Sequence, residues 1–254
     1  MSGGAYFPPI GADPDDLPPQ GWATQLGDLI PLLRRVELLD AERPVRIRVE
    51  PGGESAPSSA SAFIALPFGV LISRTLPWDA RAHPVMDRTV RLPELIAYLL
   101  GEGPEPAARD ELWRGGLPPV RGWTRLDTLP DDVVRERVRV GATAVKELTD
   151  QAGDGEQVRQ VAIDALLDSV VLTVTAGTGA DPASGTGGGN AAAAIPLRTL
   201  SALTRMGFVR RESSVGVDVA RGWVRVAAAF GSAYAAAGPA AARGGGLGML
   251  PVMR

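Results

Sequence analysis

The chain has 254 residues, 45% of them hydrophobic and 22% charged, which suits one large domain or two small lobes around a true hydrophobic core. It contains no cysteine and one histidine, His83. This excludes a disulfide framework, a cysteine zinc site and thiol nucleophiles, and leaves a Ser-His-Asp triad a single base. The net charge is −3, but Ile195 to Arg254 carries eight arginines against Glu212 and Asp218, a net +6 that leaves −9 for the rest.

Lys146 is the only lysine and Asn190 the only asparagine, while Ala, Gly, Pro and Arg abound. This usage fits a bacterial genome rich in G and C, so arginine abundance reflects codons as well as chemistry. No stretch reaches the roughly 20 apolar residues that span a bilayer. Met1 to Pro9 has neither a basic region nor an apolar core, so a cytoplasmic protein is expected.

In chain order, 1–21 is a Pro-rich arm with an acidic Asp13, Asp15, Asp16 cluster, too poor in apolar residues to offset its ordering entropy. A first lobe is expected over 22–102. Trp22 to Leu39 has helical spacing interrupted by Pro31, which kinks or restarts the helix. Val45 to Val49 alternates as a half-buried strand, and the apolar run Ser61 to Leu76 reads as one strand bent near Pro67 and Gly69. A short strand, Thr89 to Leu92, runs into a helix from Pro93 to Leu100, which Gly101 stops. The Pro/Gly-rich segment 103–119 is the expected linker, with one helical turn near Asp110.

A second lobe is expected over 120–234. Thr128 and Asp131 have the spacing of a capping box, followed by an apolar stripe of Val134, Val138, Gly141, Val145 and Leu148. Gly141 within that stripe admits the close approach of another element. A helix over Gln157 to Leu167, a strand over Val170 to Val174 and a helix over Leu197 to Met206 follow. Ser214 to Val219 and Trp223 to Ala228 alternate around Ala220-Arg221-Gly222 as a hairpin. An Ala/Gly-rich tail, 235–254, ends the chain. The fold class expected is α+β, in two small lobes, each a short, mainly antiparallel sheet covered by helices. One pattern recurs: Val70–Arg74, a loop and a proline-started helix, then Val170–Val174, a loop and another such helix. An internal duplication would require the same strand connections in both.

Candidate chemistry is sparse. Asp79, His83 and Asp87 have the spacing of a metal-binding helical row, but Pro84 forbids an uninterrupted helix. Asp164 and Asp168 share a helix face without a third acid or base nearby. The glycines at 177–179 and 185–189 lack both the G-x-G-x-x-G spacing and a Gly-Lys-Ser/Thr, and four alanines separate them from the next helix. No catalytic, metal-ligating or cofactor-binding residue is assigned, and no cofactor is expected.

The strongest positive feature is the basic block. Arg198, Thr199, Thr204 and Arg205 lie off the apolar stripe of a helix, followed by Arg210-Arg211 and a hairpin with Arg221 at its tip and Arg225 on its second strand. This arrangement resembles the recognition helix and wing of a winged helix-turn-helix module, which implies DNA in contact with Arg198, Arg205, Arg210, Arg211, Arg221 and Arg225. The long loop before the helix departs from that pattern. The favoured reading is a non-catalytic binding or scaffold protein with a protein partner. A nucleic-acid-binding regulator is the alternative, and an enzyme relying on carboxylates or an unseen cofactor the third.

Overall fold

The computed structural model describes residues 22–52, 57–79, 86–151, 156–175 and 192–237. The N-terminal arm, His83, the glycine-rich loop and the tail beyond residue 237 lie outside them. The architecture is α+β with antiparallel strands. Eight strands form one sheet, and two more form a separate ribbon.

The N-terminal half opens with a short helix α1 (Ala23–Leu26), a 3-10 turn over Gly27–Leu29 and α2 (Ile30–Glu37), with Pro31 in the first turn of α2 where its missing N–H is harmless. β1 (Pro44–Glu50) alternates as its sequence predicts, burying Val45, Ile47 and Val49. The apolar run expected as one bent strand is a hairpin instead, β2 (Ser59–Ala65) and β3 (Leu71–Pro77). Pro67 starts the reversal, the Gly69 N–H bonds the Leu66 carbonyl, and Gly69 takes φ 77°. β4 (Asp87–Arg91) pairs with β1 and passes directly into α3 (Leu92–Leu99), which ends before Gly101 at φ 73°.

The C-terminal half begins with a strand that periodicity did not reveal, β5 (Thr124–Pro130). Thr128 belongs to this strand, so the expected capping box does not form; its hydroxyl accepts from Arg125 instead. The helix α4 (Asp131–Gln151) follows, then α5 (Glu156–Asp168), the ribbon of β6 (Val170–Thr175) and β7 (Ala192–Pro196), and α6 (Leu197–Arg205). A meander of β8 (Ser214–Ala220), β9 (Trp223–Ala228) and β10 (Gly231–Ala236) closes the fold. Arg221 and Gly222 both take positive φ, 34° and 82°, as a two-residue hairpin turn requires.

The two sheets expected, one per lobe, are a single sheet in the order β4-β1-β2-β3-β10-β9-β8-β5, because β10 pairs with β3, and β6 and β7 form the ribbon. The recurring strand–loop–helix pattern is not a duplicated unit, because its strand connections differ. β6 and β7 are direct neighbours, whereas β3 and β4 stand at opposite ends of the run β4-β1-β2-β3. A different correspondence replaces it. α2 leads into the meander β1-β2-β3 with β4 added outside, and α6 leads into β8-β9-β10 with β5 added outside. The last strands of the two meanders meet at the seam.

The helices cover one face of the sheet and bury a continuous core of Leu29, Leu33, Ile47, Ile64, Ile72, Leu92, Leu200, Leu203, Val217 and Val226. The other face carries a second, smaller core. The segment expected as a linker crosses this outer face from the β4 edge to β5. It is fixed at its start by the Arg109 N–H on the Thr89 carbonyl, and by the Asp110 carboxylate accepting the Thr89 N–H and pairing with Arg46.

Candidate functional site

An antiparallel sheet covered on one side usually presents polar side chains on the other. Here the alternation places large aromatic and arginine side chains outward. On β9, Trp223 and Arg225 alternate with the buried Val224 and Val226; on β1, Arg46 and Arg48 alternate with Val45 and Ile47. Phe63 of β2, Leu71 of β3 and Tyr234 of β10 form the buried centre of this outer face, and Trp113, Leu117, Trp123 and Trp223 pack on it while remaining partly open to solvent. Trp22 and Trp78, by contrast, are buried in the main core.

Tyr234 is the hub. Its ring centroid lies 6.2 Å from that of Phe63, 6.0 Å from Trp123 and 6.3 Å from Trp223, the last edge-on. Its hydroxyl shares a 2.9 Å hydrogen bond with the Ser73 hydroxyl. Burial pushes the phenol above its ordinary pKa, against the bond from Ser73 and the charge of Arg225.

Two guanidinium groups lie against the aromatic rings. Arg225 sits 4.4 Å from the Trp123 ring centroid and donates to the Asp218 carboxylate at 2.9 Å. Asp218 is buried, and its other oxygen accepts from Arg125. Gly216 makes room for that second arginine, since a Cβ there would lie 2.3 Å from the Arg125 guanidinium. Arg48 sits 5.1 Å from the Phe63 ring centroid and pairs with Glu50 at 3.1 Å. The crossing segment is fastened among these groups: the Trp123 indole N–H donates to the Pro119 carbonyl at 2.9 Å, and Arg48 reaches the Pro118 carbonyl.

The six arginines singled out by sequence do not form one surface. Arg198 turns inward, pairing with Asp168 at 2.7 Å and donating to the Phe68 carbonyl at 2.6 Å. Arg225 belongs to the outer-face cluster. Arg205, Arg210, Arg211 and Arg221 are exposed. Arg221 stands at the far end of seven-residue β8 from Arg211, roughly 20 Å away at the usual rise per residue. The winged-helix arrangement is not formed, because α6 is enclosed by the sheet, α4 and α5, with only Arg205 exposed on it. The paired acids of α5 are also engaged, Asp168 by Arg198 and Asp164 by Gln160 at 3.3 Å. Of the candidate metal row, Asp87 pairs with Arg46 at 2.8 Å on β4, and the Asp79 N–H bonds the Gln25 side chain.

Sequence reading overlooked the outer face. Its signal was present in strands whose two faces both carry large side chains, Trp-Val-Arg-Val and Arg-Ile-Arg-Val, which a one-sided sheet does not require.

Residues 118–240, just under half of the chain, match a family described as a domain of unknown function, DUF8185. No curated protein matches. Among solved structures, the chain is similar to the DNA polymerase III subunit beta of Pseudomonas aeruginosa, with 11% identity and a TM-score of 0.44 over 84% of this chain and 62% of that one. The corresponding subunit of Thermotoga maritima gives 10% identity and a TM-score of 0.42 over the same shares. Caulobacter crescentus pol III beta gives 13% and 0.38 over 84% and 63%. The chain thus spans less than two thirds of the length of these proteins. Among the described residues, no helix is long and apolar enough to cross a membrane.

Proposed function

We propose that this protein is a non-catalytic scaffold of the cytoplasm that acts through protein–protein contacts, and that the outer face of its sheet is the contact surface. The observation that supports this is the outward placement of Trp113, Trp123 and Trp223, half-buried around Tyr234 and interleaved with Arg48 and Arg225. Tryptophan, tyrosine and arginine are the residue types that dominate binding hot spots, because each joins a large rigid contact area to a polar handle. On this reading 22–102 and 120–234 are two lobes that share one sheet and one crossing segment.

The test is affinity capture from native extract with the full chain and with Trp223→Ala, both checked for the same thermal stability. A partner retained by the parent and depleted about tenfold by the variant supports the reading; that is the loss of about 1.4 kcal/mol, modest for a hot-spot tryptophan. Identical sets of captured proteins would overturn it.

A second reading rests on Arg205, Arg210 and Arg211, which are exposed within seven positions at the end of α6. Such a group suits an anionic partner, nucleic acid included, held by phosphate contacts.

A further inference from the structure

β3 continues after its ladder with β10 stops. The two pair only over Leu71–Ser73 and Ser232–Tyr234, whereas β3 stays paired with β2 as far as Pro77. The β9–β10 tip turns away because the Phe230 N–H bonds the Phe208 carbonyl at 3.2 Å. Gly231 permits the bend: a Cβ there would lie 2.6 Å from the Phe208 ring and 2.7 Å from the Ser73 carbonyl oxygen. A cleft of about 270 Å³ opens between the tip and β3, lined by Ser73, Arg74, Thr75 and Leu76 on one side and the tip residues, Phe230 among them, on the other.

Two features define what fits this cleft. The Ser73 carbonyl faces Gly231, and the two-residue period of a strand turns the N–H and C=O of Thr75 to the same side. Thr75 lies beyond the last β10 pair and is exposed. An unpaired strand edge is a template for another strand. The second feature is charge. Among the described residues, Arg74 is the only charged one in the lining. Its guanidinium lies 6.0 Å from the centroid of the Phe230 ring, itself 44% exposed, and it pairs with no carboxylate among the described residues.

We propose that the cleft binds an extended, acidic segment of a partner protein, which pairs with β3 through Thr75 as a short added strand and sets a carboxylate on Arg74. Charge complementarity selects the occupant, since the described residues of the lining offer one cation and no anion, and the guanidinium fork favours a carboxylate. The cleft adjoins the aromatic outer face through Ser73, whose hydroxyl bonds Tyr234, but its lining includes none of the tryptophans of that face.

The full chain, titrated with a short synthetic peptide of alternating valine and glutamate, is followed by amide NMR shifts and hydrogen exchange. The Thr75 amide is expected to shift and gain protection. The same peptide with glutamine for glutamate binds about tenfold more weakly. A version N-methylated on alternate residues does not bind, and Arg74→Gln makes the protein indifferent to glutamate or glutamine. Trp223→Ala leaves the peptide bound as in the parent, which separates this site from the outer face. No response at Thr75 at millimolar peptide, or equal binding of the N-methylated or glutamine peptide, overturns the proposal. Protection of Thr75 before peptide is added assigns the edge to this chain or to a second copy, told apart by dilution, and also overturns it.

Discussion

Gly141 of α4 lies directly on Leu197 of α6: a Cβ at position 141 would come within 2.5 Å of both Leu197 methyl carbons. This contact lets α4 cover α6, and it realises the close approach that the glycine in the apolar stripe predicts. Two effects oppose each other in Gly141→Ala. Overpacking costs about 1–3 kcal/mol, and replacing glycine inside a helix returns about 1 kcal/mol. The expected outcome is a net loss of about 1 kcal/mol in urea unfolding. In a Leu197→Ala background the clash is gone, so the same substitution should become neutral or stabilising. An equal loss in both backgrounds would show that the two side chains do not meet.

Asp218 is buried between Arg125 and Arg225, and these two partners differ in exposure, 51% for the Arg125 side chain and 27% for Arg225. Removing one member of a buried pair leaves an uncompensated charge, at a cost of about 3–5 kcal/mol. Asp218→Ala, which strands two guanidiniums, is therefore expected to be the most destabilising of the three alanine variants. Arg225→Ala follows, since it also removes the contact with Trp123, and Arg125→Ala is mildest at about 1 kcal/mol because water screens it. Chemical denaturation of the three variants ranks them; Arg125→Ala as the most costly would contradict the arrangement.

What the sequence revealed followed the clarity of its periodicity. β1, α3, α4, α6 and the β8–β9 hairpin lie close to where their patterns place them, because each buries one regular face. β10 escaped notice because Gly-Ser-Ala-Tyr-Ala-Ala has little intrinsic strand preference. It is held by its ladders with β3 and β9 and by the single large contact of Tyr234. With β10 missed, the seam that merges the halves was invisible, and the prolines and glycines of 103–119 read as a linker. Their role depends on the distant Thr89, Arg46 and Arg48, which no local pattern records. The arginines misled for a related reason. Charge counted along the chain cannot separate Arg198, turned inward on Asp168, from Arg210 and Arg211, which face solvent.

Asp131 opens α4, and its carboxylate bonds Arg135 at 2.8 Å. The Arg135 guanidinium, assisted by the backbone N–H groups of Ser213 and Glu212, holds this carboxyl below the ordinary aspartate pKa. A carboxyl lowered by folding contributes stability above its unfolded value, about 3.9, and the contribution disappears as pH falls through the lower folded value. The parent should therefore exceed Asp131→Asn in urea midpoint near neutral pH, and the gap should close only below about pH 4. A gap that persists unchanged to about pH 2, or one that closes on the alkaline side, would contradict this assignment.

Arg198 and the Arg210–Arg211 pair should separate stability from anion binding. Arg198 ties α6 to the end of α5 and to the β2–β3 turn through Asp168 and the Phe68 carbonyl. Arg198→Ala strands a half-buried carboxylate and a carbonyl, and is expected to cost about 2 kcal/mol. Arg210 and Arg211 are exposed, so their joint replacement by alanine should leave stability within about 0.5 kcal/mol. In fluorescence anisotropy with duplex DNA at low salt, the order reverses. The double variant loses affinity and lowers the salt dependence by about two phosphate contacts, while Arg198→Ala, measured where it remains folded, binds as the parent does. Equal binding by the parent and the double variant would remove Arg210 and Arg211 as an anion site and leave the outer face of the sheet as the surface to pursue.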